Sequence, residues 1–65
     1  MTNFEKMPYI EQVQAMTIIC NIQMIQEKIH GKHFSFSDFA DNSLNELWSL
    51  QDIAIKDWNN YLKSK

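Results

Sequence analysis

The stretch YIEQVQAMTIICNIQMIQEKIH, residues 9–30, decides the fold. From Tyr9 to His30 nothing breaks a helix; Pro8 suits the first helical turn and Gly31 is the usual C-terminal stop. The spacing predicts a helix over 8–30, roughly 33 Å long at 1.5 Å per residue. On a 100° wheel this helix is apolar on two opposed faces. Ile10, Val13, Thr17, Cys20 and Met24 form one seam. Ile18, Ile22, Ile25 and Ile29, with Ala15 above them, form a second at spacings of three and four, roughly 140 to 180° away. One partner helix cannot cover both. Between Glu11 and Glu27 the helix carries no charge, and its polar positions are Gln12, Gln14, Thr17, Asn21, Gln23 and Gln26. Uncharged amides can sit near an interface without the desolvation cost of an ion.

Outward from this helix, Thr2 and Glu5 fit a capping box, but a single helix starting there would place Pro8 where an N–H is needed. A separate short turn before Pro8 is expected, with Phe4 folded back as a lid. On the other side, Lys32 to Asn42 is too long for a tight turn, and Ser35 to Ala40 reads as one capped turn of helix, placed at 36–41. Phe36 and Phe39 can both point inward from it. A second helix, 44–63, opens at Ser43, with Glu46 completing a capping box, and Lys63 suits the negative end of its dipole. Its apolar side is Leu44, Leu47, Trp48, Ala54, Ile55, Trp58, Tyr61 and Leu62. Trp58 belongs to the middle of that side and is expected in the core. Trp48, on its shoulder, is expected to face a partner.

These elements predict an all-α single domain over 1–65, a helical hairpin of two long antiparallel helices with a short helical turn between them. A chain this short buries a modest core, and ordering it costs on the order of 100 kcal/mol, so a second subunit is expected. The economical solution is a dimeric four-helix bundle with Ile18, Ile22, Ile25 and Ile29 at the dyad. The rival is a monomer whose isoleucine seam docks a different protein.

Composition narrows the function. Eight acids against six lysines, with no arginine, give a formal charge of −2. That removes the usual basis for phosphate recognition and argues against nucleic acid as a ligand. Cys20 is the only cysteine, so no disulfide forms within the chain; a buried thiol in a reducing, cytoplasmic setting is expected. No stretch approaches the roughly 18 apolar residues of a membrane span, and no leader pattern opens the sequence, so a whole chain in solution is expected. Abundant Ile, Asn and Lys suit an AT-rich genome, such as that of a low-GC bacterium or its phage.

No constellation rises to a catalytic or metal site. His30 and His33 flank a helix end, and Cys20 lies about 15 Å up the helix from His30, too far to share one metal. Asp38, Asp41, Glu46, Asp52 and Asp57 match no calcium-loop spacing and read as a solvated face. In layout the chain resembles the short aspartyl-phosphatases of the sporulation phosphorelay, whose second helix opens on Ser-Gln-Glu-Leu-Asp. Here the aligned residues are Leu44, Asn45, Glu46, Leu47 and Trp48, so that family's serine and aspartate are absent and no residue role carries over. In size and hairpin-dimer plan it also resembles the plasmid copy-number protein that grips paired RNA loops, without that protein's basic face. The expected function is a non-enzymatic regulator or inhibitor that binds another protein chain, itself or a target, through Ile18, Ile22, Ile25, Ile29 and Trp48. No cofactor is implied. The alternatives are a metal-dependent phosphoryl enzyme using Glu46, and a nucleic-acid-binding hairpin dimer.

Overall fold

The structure is a computed structural model that describes residues 1–64. A one-turn helix α1 (Asn3–Lys6) precedes α2 (Tyr9–His30); a 3-10 turn (Phe36–Asp38) then leads to α3 (Leu44–Lys63). Among the described residues there is no strand. The all-α expectation of two long helices packed on each other holds.

Local chemistry sets each boundary. Thr2 and Glu5 do form a capping box, but for α1 alone, and Pro8 becomes the extended N-cap of α2 rather than an interior residue. Gly31 ends α2 in the left-handed region at φ 65°, and its N–H donates to the Glu27 carbonyl at 2.9 Å. Ser43 opens α3: its N–H donates to Glu46 Oε1 at 2.7 Å and its hydroxyl accepts from the Glu46 N–H at 3.2 Å. The middle turn is shorter than the expected 36–41. Ser35 and Asp38 cap it, and the chain leaves helical geometry after Asp38 because Phe39 and Asn42 close successive turns onto the Phe36 and Phe39 carbonyls.

The direction of α3 corrects the expected antiparallel hairpin, because α2 and α3 run parallel. Asn21 Nδ2 donates to Gln51 Oε1 at 3.0 Å, and further along both helices His30 Nε2 stands 3.9 Å from Asp57 Oδ2. At the opposite end the Phe4 N–H donates to the Ala40 carbonyl at 2.9 Å, just before α3 begins. Extended chain covers up to about 3.3–3.6 Å per residue, so residues 31–43 can retrace a helix roughly 33 Å long. They do so as a strap along α2: Gln23 Nε2 donates to the Phe34 carbonyl at 2.9 Å, and Phe36 meets Phe4 edge-on with ring centroids 4.8 Å apart. Phe4 is thus the expected lid, closing over the strap.

The core gathers Ala15, Ile18, Ile19 and Ile22 from α2, Leu47 from α3 and Phe39 from the strap, with Phe4, Met7, Leu44 and Leu50 packed around it. α3 therefore lies on the isoleucine seam. This corrects the expectation that the seam awaits a partner. Burying an isoleucine is worth about 1.5–3 kcal/mol, and a seam of branched aliphatic side chains offers α3 more than one centred on Thr17 and Cys20. Ile19, 1% exposed, belongs to neither seam of the wheel; it is enclosed because the strap covers the flank between α3 and the solvent side. The resulting slab measures 41 × 18 × 14 Å with a radius of gyration of 12.5 Å. A compact chain of this length would have about 11 Å.

Candidate functional site: the open flank of the helix pair

The strap and α1 occupy one side of α2, and α3 occupies the isoleucine seam. What remains uncovered is the other seam. Ile10 is 69% and Met24 68% exposed, with Val13, Thr17 and Cys20 exposed between them. The Cys20 thiol, expected to be buried, stands on this outer face because the helix turns Ile18, Ile19 and Ile22 inward. Thr17 donates its hydroxyl to the Val13 carbonyl at 3.1 Å, so its polar atom is satisfied within the helix.

Two shallow clefts line this flank where α2 meets α3. The larger, of about 730 Å³, is walled by Met24, Ile25 and Lys28 on α2 and by Ile55 and Trp58 on α3. The smaller lies between Val13, Thr17 and Ile18 on one helix and Trp48 and Gln51 on the other. Asn21 lines both, and its hydrogen bond to buried Gln51 ties the two helices between them. The flank is therefore continuous along the molecule.

The expected site residues separate into three groups. Ile18 and Ile22, at 2% and 3% exposure, are core residues of the helix pair and cannot present themselves to a partner. Ile25 and Ile29 are half-buried, and Ile25 forms part of the larger cleft. Trp48 is 45% exposed on the open flank. Trp58, expected in the core, is half-buried and stacked on Tyr61 with centroids 5.6 Å apart, so it forms a wall of the cleft. Ile55 is exposed beside it. The amides of α2 are largely engaged within the chain: Gln12 donates to the Phe4 carbonyl, Gln23 to the strap and Asn21 to α3.

Parallel packing also sorts the charges. Glu5, Glu11, Asp38, Asp41 and Glu46 share the end where α2 and α3 begin, with Lys6 the one lysine there among the described residues. Lys28, Lys32, Lys56 and Lys63 lie toward the other end, with His30 near Asp57 and His33 3.9 Å from Glu27. Acids at helix N-termini and bases at C-termini complement the helix dipoles, and in parallel helices these preferences add. The molecule is more acidic at one end and more basic at the other, with α2 uncharged between Glu11 and Glu27 and Asp52 standing midway along α3.

Among the described residues no three metal-ligating side chains come together, and no helix is long and apolar enough to cross a membrane. Comparison with protein-family models, with curated proteins and with solved structures gives no match.

Proposed function

We propose that the chain is a small protein-binding regulator or inhibitor that works by occupying a surface rather than by catalysis, and that its working face is the outer seam of α2 with the Trp48–Ile55 edge of α3. One observation carries this reading: a continuous apolar seam on a helix without a charge between Glu11 and Glu27, left exposed after the chain has folded its better seam into its own core. Large apolar patches on soluble proteins mark interaction sites, and an exposed Trp is a common anchor within them. A preformed helical surface of this kind binds without first ordering a segment, which favours a steric mode of action.

The test compares the wild-type chain with Val13→Lys and with Asp52→Asn. Self-association is read by light scattering, and capture of other proteins from cells producing each chain by cross-linking and mass spectrometry. The reading expects Val13→Lys to lose what the wild type binds and Asp52→Asn to keep it. If Val13→Lys matches the wild type in both measurements, this face is not the binding surface.

A further inference from the structure

We propose that the occupant of the open flank is a second copy of the same chain, laid antiparallel across it about a two-fold axis near Thr17. This rests on the reading of the flank as a protein-binding face and names what covers it.

The spacing of the seam is the first argument. Ile10, Val13, Thr17, Cys20 and Met24 recur at intervals of three and four, the a/d pattern by which one helix packs along another. The pattern is close to palindromic about Thr17, with Ile10 seven residues before it and Met24 seven after. Turned about that point, one copy's Ile10 meets the other's Met24, and Val13 meets Cys20. The small residues near the axis allow helices to approach to about 8–10 Å, and the Thr17 hydroxyl, already bonded to its own helix, asks nothing of the partner.

Charge is the second. On a two-fold axis each residue faces itself, so an ion there would repel its own copy; α2 is charge-free along this stretch. Away from the axis, antiparallel stacking sets the acidic end of one copy beside the basic end of the other and opposes the helix dipoles. A parallel stack would set like against like.

Shape and area complete the case. The most exposed apolar side chains of α2, Tyr9 and Ile10, stand at its N-terminal end, and the larger cleft lies on the same flank at its C-terminal end. Antiparallel pairing brings each knob over the other copy's cleft. Ile10, Val13, Met24, Trp48 and Ile55, between 42% and 69% exposed, give this flank the apolar surface that a second copy would cover. The exposed surface of one copy, 4659 Å², also exceeds the roughly 4300 Å² of a compact monomer of this mass.

Light scattering with sedimentation equilibrium over a wide concentration range tests this on the intact chain. The expected mass is twice 7.7 kDa for the wild type. Thr17→Lys, at an exposed helical position, is expected to halve that mass while leaving the helical circular dichroism unchanged. Direction is tested separately in a Cys20→Ser background with a short bis-maleimide. Ile10→Cys together with Met24→Cys is expected to give a covalent dimer, since the two thiols lie about 21 Å apart on one helix and cannot join within a chain. Ile10→Cys alone should give none. A wild type that is monomeric throughout overturns the second copy as occupant, and capture by the same face then decides the protein-binding reading on its own. A dimer that survives Thr17→Lys, or that cross-links through Ile10→Cys alone, overturns the face or the direction.

Discussion

At the residue scale, the enclosed and the outer faces of α2 make opposite demands on similar side chains. Ile19 is fully enclosed and Ile10 is mostly in solvent, although both are isoleucines of one helix. Ile19→Val is therefore expected to cost about 0.5–1.5 kcal/mol, and Ile10→Val to stay within about 0.5 kcal/mol under conditions where the chain is a single copy. Chemical denaturation at low protein concentration distinguishes them. Equal costs would mean that Ile10 is as enclosed as Ile19. The Asn21–Gln51 hydrogen bond makes a second demand. Gln51 is buried and receives its bond from Asn21, so Asn21→Ala leaves an amide oxygen without its donor. The expected loss is about 1 kcal/mol, a fall in melting temperature of about 4–8 °C for a domain of this size.

At the element scale, helix ends were the most legible features. Ser43 with Glu46, Thr2 with Glu5, and Gly31 are local signals, and each acts in the structure where its chemistry placed it. Ser43→Ala removes an oxygen that accepts from the Glu46 N–H and is expected to cost about 1 kcal/mol, read as a lower melting temperature. Gly31→Ala meets no neighbour within 4 Å, so its cost comes from the left-handed backbone alone. That cost is about 1–2 kcal/mol, and Gly31→Asn should recover part of it in the same melt. The direction of α3 was not legible. A cap states where a helix begins, and a connector of this length reaches either end of α2. The choice lay with Phe39, which is buried in the core by lying back along the helix with Phe34 packed on it, and no local pattern distinguishes a strap from a loop.

At the scale of the whole molecule, the core is not shared evenly along the slab. The enclosed residues run from Ala15 to Ile22 on α2 and from Leu47 to Ala54 on α3, whereas Ile25 and Trp58, which line the larger cleft, and Ile29 and Tyr61 are only half-buried. Local opening is easiest where few apolar contacts hold a helix. Amide hydrogen exchange is therefore expected to be slowest over Ile18–Ile22 and Leu47–Gln51 and fastest in the last turns of α2 and α3. Uniform protection along both helices would show that the cleft end is as well packed as the core. The charge polarity of the slab belongs to this scale too, since it exists only because two helices with acidic starts and basic ends point the same way.

The sequence by itself determined the two long helices, their caps, the break at Pro8 and the presence of two apolar seams on α2, because periodicity and capping act within a few residues of chain. It could not rank the seams. Which one α3 covers depends on the competing burial of side chains from α1, α2, the strap and α3 together, and that sum is tertiary. The isoleucine seam, with more aliphatic surface to lose from water, went inside. Ile18, Ile22, Ile25 and Ile29 thereby turned inward, and Ile10, Val13, Thr17, Cys20 and Met24 became the face of the molecule.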